Sequence, residues 1–144
     1  MFEIKILYKK IFITAPGEKK KLKKALGELI HNVLKIEKKN VSSLNLIFCS
    51  DECIREYNKK YLNHDYETDI ITFYDIDEEE MIEGELLISV DSVRSNSKKY
   101  KTSFNNELRR VVIHGVLHLC GYNDKAQSEK QIMRKKEDYF LNIK

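Results

Sequence analysis

Hydrophobic positions along the chain fall at two spacings, every second residue or every third and fourth, and the changes between them mark out the elements. FEIKIL (2–7) alternates and predicts a strand. After Pro16-Gly17 the period lengthens: Leu22, Ala25, Leu26, Leu29, Ile30, Val33 and Leu34 share one stripe and predict a helix over 18–38. LNLIFC (44–49) reads as a second strand, and Ser50 or Asp51 can cap a helix that runs to about Tyr61. DIITFY (69–74) and GELLISV (84–90) are rich in β-formers and flank the acidic stretch DIDEEEMIE, so they predict a hairpin with a long connection.

From Asp91 onward the spacing is helical. A short helix reaches about Lys101, where Thr102-Ser103 breaks it and can cap the next. That next helix runs to Cys120, with Gly121 placed to end it. A last helix starts near Gln127 and is expected to bury Ile132, Met133, Tyr139, Phe140 and Ile143. About four strands and five helices, with no repeat or low-complexity linker, predict a single α+β domain over 1–144. Its sheet is small, mixed or antiparallel, and covered by helices.

Composition narrows the class. At 144 residues, 42% hydrophobic and one proline, the chain can bury a real core rather than stay disordered. Its apolar runs are far too short to cross a bilayer, and MFEIKIL lacks the pattern of a secretory leader, so a cytoplasmic protein without membrane contact is expected. Cys49, Cys53 and Cys120 are an odd count without CxxC spacing, which argues against a disulfide framework. Cys49 and Cys53 read as small core residues rather than metal ligands.

The net charge of +3 conceals segregation: residues 1–40 carry a net +7, residues 41–93 a net −11 and residues 94–144 a net +7. Such a distribution permits a basic face for a polyanion, although solvated helix faces explain it equally well. The acidic stretch lacks the glycine and ligand register of a calcium loop and reads as a solvated hairpin tip.

The candidate chemistry lies in HGVLHLCGYND (114–124). His114 and His118, four apart on a helix, point the same way with Cβ atoms about 6 Å apart. Two imidazoles so placed can share one ion. Gly121 can turn the chain back, so that Asp124 reaches the same ion, and two histidines with one carboxylate are a sufficient set for zinc or non-haem iron. Two ordinary readings stand beside this one: hydrogen-bonded core histidines, and Asp124 as the N-cap of the last helix.

The sequence HGVLH lacks the glutamate that serves HExxH peptidases as base, and Gly115 in its place suggests close backbone packing. Glu107 lies seven residues before His114, about 10 Å along the axis, and is expected in a salt bridge or as a helix-start charge. Cys120, two residues after His118, should point away from the site.

HGVLHLCGYND, with Met133 and Glu137 downstream, resembles the HGxLHLxGYDH and Met-x-x-x-Glu signature of the YbeY family of bacterial endoribonucleases. YNKKYLNHDYETDIITF (57–73) is similar to a second block of that family, and GELLIS (84–89) to its GEI(V/L)IS strand. The resemblance implies a zinc-type hydrolase, one Zn2+ per chain, that cleaves single-stranded RNA. It implies a role in small-subunit rRNA 3′-end maturation and ribosome quality control, with rRNA and the ribosome as partners. By position it implies His114, His118 and Asp124 as metal ligands, Thr68 and Asp69 as the family's TD pair in substrate binding, and Arg94 in the basic segment that follows. Arg94 is also the candidate catalytic residue.

Two departures matter. Asp124 stands where the family has histidine; an anionic ligand should weaken the ion's pull on water and shift preference toward harder metals. Leu62 stands where the family usually has arginine, so Arg55, Lys59, Lys60 or Arg94 would have to supply its charge. Tyr61, Tyr66 and Tyr122 can stack on bases or sit half-buried with a wet hydroxyl. The alternative to an enzyme is a non-catalytic ribosome-associated factor with a structural metal. In that case a fourth protein ligand would close the site, whereas a catalytic ion keeps a position open.

Overall fold

The computed structural model describes residues 4–8, 16–63 and 68–143. The elements run β1 (Ile4–Tyr8), α1 (Pro16–Glu37), β2 (Asn40–Cys49), α2 (Asp51–Leu62), β3 (Ile70–Ile76), β4 (Met81–Ser89), α3 (Val90–Lys99), α4 (Phe104–Leu119) and α5 (Gln127–Leu141). The four strands form one mixed sheet in the order β1-β2-β4-β3, parallel across β1, β2 and β4, with β3 antiparallel to β4. This is the α+β architecture the residue pattern predicts.

One face of the sheet is covered along its length and the other only toward the C-terminal ends of β2 and β4, where burial on both sides accounts for the apolar runs LIFC and LLI, while Ser43, Glu83 and Glu85 stay exposed. Leu44, Leu46, Phe48, Leu86 and Ile88 join the main core with residues of α1, α3, α4 and α5. On the opposite face, Cys49, Ile71 and Leu87 pack with Ile54 of α2. Among the described residues no helix is long and apolar enough to cross a membrane.

Three expectations are corrected. The connection between β3 and β4 is short, not long, because Oδ1 of Asp77 accepts from the backbone N–H of Glu79 and of Met81, both at 2.9 Å. That side chain builds a tight turn, with Glu80 in a left-handed conformation (φ 61°), and Ile76 and Met81 extend the strands. Ile132 and Tyr139 are 49% and 55% exposed. The buried stripe of α5 is Met133, Glu137 and Phe140, so a carboxylate occupies the turn where an apolar residue was expected. Ala25 is exposed at the edge of the α1 stripe, whose Leu26, Leu29, Ile30, Val33 and Leu34 are buried.

The helix caps follow the expected chemistry. Ser50 and Ser103 accept the N–H of Cys53 and of Asn106 at the starts of α2 and α4.

Candidate metal centre

The centre is built on α4. From Val111 to Cys120 every residue is buried except His114 and His118. Gly115 sets this register: a Cβ there would lie 2.6 Å from Cδ1 of Ile70 and 3.1 Å from both δ-carbons of Leu86. Its bare backbone lets α4 settle on β3 and β4, leaving Arg110, His114 and His118 as the least buried ridge. Position 115 therefore faces the sheet, and a base carried there would not reach the site.

Gly121 ends the helix in a Schellman motif. Its N–H donates to the His118 carbonyl at 3.0 Å, the Tyr122 N–H donates to the Leu117 carbonyl at 3.1 Å, and its φ is 102°. The turn brings Asp124 to the histidine ridge. Oδ2 of Asp124 lies 3.1 Å from Nε2 of His114 and 3.5 Å from Nε2 of His118, and the two nitrogens are 3.0 Å apart. Ligands on a tetrahedral ion with bonds of about 2.0–2.1 Å are about 3.3 Å from one another. The triangle has the right size for a zinc-sized cation.

Each ring is also oriented from behind. Nδ1 of His114 donates to Oε2 of Glu137 at 2.8 Å, and Nδ1 of His118 donates to the Tyr122 carbonyl at 2.9 Å. A carbonyl only accepts, so the neutral His118 carries its proton on Nδ1, and the Glu137 carboxylate imposes the same tautomer on His114. Both Nε2 lone pairs then face an Asp124 oxygen with no donor among them, an arrangement that calls for a shared positive charge. The pKa of His114 shows the same pull. Burial alone would lower it, but the Glu137 hydrogen bond and the charges of Glu137, Asp124 and Asp69 together raise it.

Glu137 is itself buried and anchored by Arg110, whose Nη1 lies 3.0 Å from it while Nη2 reaches Asp138 at 2.7 Å. Asp124 is not the cap of α5; that position is Ala126, whose N–H donates to Glu129 at 2.8 Å. Cys120 lies outside the ligand group, buried with its thiol pushed up to about 11 by burial and by the charge of Glu37. Among the described residues, His114, His118 and Asp124 are the one group of three or more such side chains with ligand atoms close enough to share an ion.

The centre opens on a cavity of about 600 Å³ lined by His114, Asp124, Asp69, Glu107 and residues of α3 and α5. Burial pushes the carboxyls of Asp69 and Glu107 up, against the opposing charge of His114 in the first and Arg110 in the second. The structure brings Asp69 to this cavity; Thr68, beside it, donates its hydroxyl to Asp69 at 3.5 Å. Arg94 is exposed on α3, its guanidinium 5.0 Å over the Phe104 ring and outside the cavity lining. Leu62 is 44% exposed at the end of α2, the helix on the opposite face of the sheet from α4.

Tyr61 packs on Tyr57 and Phe73. Tyr122 gives its hydroxyl to Glu37, with Lys136 over its ring. Tyr66 lies outside the described residues.

Of the two expectations for Glu107, the helix-start charge holds, since it lies in the first turn of α4, and the salt bridge does not: it is 5% exposed, yet its carboxylate has neither an ion pair nor a hydrogen bond among the described residues. Sequence reasoning also passed over Lys130 and Arg134, which line the cavity from one turn apart on α5. Their i, i+4 spacing was the available signal.

Comparison with known proteins adds the last element. The family model described as Endoribonuclease YbeY matches residues 10–143. The chain is 49% identical over 121 residues to the Endoribonuclease YbeY of Parabacteroides distasonis, covering 84% of each chain. It is 50% identical over 105 residues to that of Phocaeicola vulgatus, covering 73% of this chain and 75% of the relative. The solution structure of TM1509 from Thermotoga maritima superimposes with a TM-score of 0.66 at 30% identity, over 96% of this chain and 87% of that one. A match over nearly the whole length, on a chain whose histidine ridge and Asp124 converge as described, leaves one assignment: the chain belongs to the YbeY family of endoribonucleases.

Proposed function

We propose that this protein is a zinc-dependent endoribonuclease specific for single-stranded RNA, with His114, His118 and Asp124 as the metal ligands. The observation that carries the reading is the convergence of those three acceptors, at the mouth of a cavity, in a chain of an endoribonuclease family. The bound ion supplies Lewis acidity to water and to the scissile phosphate. Glu137 and the Tyr122 carbonyl hold the two imidazoles with Nε2 facing inward, so that little reorganisation is needed when charge develops. Lys130 and Arg134 offer charge to the RNA backbone on the cavity side. Asp69 belongs to the substrate side of the same cavity, with Thr68 beside it, and Arg94, outside that lining, offers a second path for the strand along α3.

The natural substrate in this reading is the 3′ end of small-subunit rRNA, met on the ribosome in the cytoplasm, where the activity also serves quality control. Support for an open, catalytic ion comes from the absence of a fourth Cys, His, Asp or Glu ligand among the described residues. Leu62, where the family usually has arginine, favours the rival, a ribosome-associated factor with a structural ion.

His118→Ala decides between them. We expect the variant to lose zinc in equilibrium dialysis and to lose cleavage of a labelled single-stranded RNA together. A variant that loses zinc yet cuts RNA normally overturns the reading. A wild-type protein that binds zinc and never cuts establishes the rival.

A further inference from the structure

We propose that the cavity beside the metal centre is a guanine subsite and that Glu107 reads the base. The proposal rests on the endoribonuclease reading and adds a substrate preference to it.

Glu107 is the unusual feature of this cavity. Its residue is 5% exposed, it lines the cavity, and its carboxylate has no partner among the described residues. A buried acceptor left without a donor is costly, and a charged one more so. The nearest guanidinium on its own helix does not supply the donor, because Arg110 is committed to Glu137 and Asp138. Burial and the charges of Asp69 and Glu137 raise the pKa of its carboxyl, opposed by the charges of Arg110 and Arg134. The carboxylate is thus set in a water-poor wall, facing a space where a ligand can bring the missing hydrogens.

The chemistry of the bases selects the ligand. An ionised carboxylate offers two acceptors and no donor. Of the four RNA bases, guanine alone presents two adjacent donors on one edge, N1–H and the N2 amino group. Uracil places its single N–H between two carbonyls, and adenine and cytosine place an amino group beside a ring acceptor, which a carboxylate repels. The rest of the wall agrees. Asn96, whose carboxamide has no partner among the described residues, can donate to the O6 that flanks N1.

Met133 gives an apolar surface for a ring face, and Tyr100, 59% exposed, stands at the rim, where unpaired bases commonly stack. A volume of about 600 Å³ accommodates a nucleotide. Because His114 and Asp124 line the same cavity, a guanosine seated there lies next to the scissile phosphate.

The test is a titration of the zinc-loaded full-length chain with GMP, IMP, AMP, CMP and UMP, followed by amide chemical shifts. The shared phosphate cancels, so differences report the base. IMP differs from GMP only by the missing N2 amino group. We expect GMP to bind about 5- to 150-fold more tightly than AMP, CMP and UMP, as one good bidentate pair provides, with IMP in between. Glu107→Gln, nearly isosteric, should abolish the advantage of GMP over IMP.

Equal binding of GMP and IMP by the wild-type protein overturns the proposal without recourse to any variant. So does a preference for AMP or CMP, which would mean a neutral carboxylic acid reading a different edge. Cleavage of a mixed-sequence RNA by the same preparation is scored separately. Cutting without guanine preference removes the subsite and leaves the nuclease, whereas GMP preference without cutting does the reverse.

Discussion

At the scale of single residues the candidate centre is shaped by groups outside its three candidate ligands. His114 and His118 were legible in the sequence because a four-residue interval on a helix dictates a shared direction. Asp124 was legible because glycine at 121 dictates where the chain goes next. What orients the rings was not: Glu137 stood out only as part of the Met-x-x-x-Glu resemblance, with no spacing to tie it to His114 23 residues away, and the acceptor for His118 is a backbone carbonyl, which has no sequence signature at all. Glu137 accepts from both His114 and Arg110, and its charge sustains both contacts. Glu137→Gln keeps an oxygen in place but removes that charge. The histidine becomes a poorer donor of its Nε2 pair, and Arg110 loses half its anchorage. We expect zinc affinity to fall by about 10- to 100-fold, read by competition with a chelating dye. Unchanged affinity would show that Glu137 only packs.

At the scale of elements, two glycines, one inside α4 and one just past its end, do opposite things, and substitution separates them. At Gly115 the backbone conformation is ordinary and the space is full, since an added Cβ meets Ile70 at 2.6 Å. At Gly121 the space is empty and the conformation is special, φ being 102° with nothing within 4 Å. Gly115→Ala gains up to about 1 kcal/mol of helix propensity but forces the δ-carbons of Ile70 and Leu86 to move in a full space, at about 1–3 kcal/mol. Gly121→Ala pays about 1–2 kcal/mol for left-handed backbone without any clash.

In urea unfolding we therefore expect both variants to be destabilised. In zinc titration Gly121→Ala should suffer more for the same loss of stability, because the turn it strains delivers both Asp124 and the Tyr122 carbonyl. Equal zinc affinity in the two variants would refute that division of labour. The elements themselves were largely foreseeable, since the strands and helices follow the hydrophobic periods. The misreadings arose where a polar side chain took a structural place, Asp77 in the β3–β4 turn and Glu137 on the buried stripe of α5.

At the scale of the whole molecule, the candidate centre is tied to the first helix. Oε1 of Glu37, at the end of α1, accepts from the Tyr122 hydroxyl at 2.5 Å, and its Oε2 from Lys136 of α5 at 2.9 Å. This links the loop that positions His118 to two helices. Contacts that span 85 and 99 residues leave no local pattern to read. Charge is different, because its segregation along the chain was plain in the sequence and only its placement had to be found. Part of the basic C-terminal third lies on α5, where Lys130 and Arg134 line the cavity, while Arg94 stands outside it over Phe104.

The two placements make separable claims about the path of RNA. Each phosphate contact on a single strand contributes about 0.7 to the slope of log affinity against log salt, by release of a counterion. If the strand enters over α5, Lys130→Ala and Arg134→Ala should each flatten that slope by about this amount, in anisotropy titrations of a labelled single strand, with zinc affinity unchanged. Arg94→Ala should then leave the slope as it is. A slope that responds to Arg94 and to neither residue of α5 would place the strand along α3 instead.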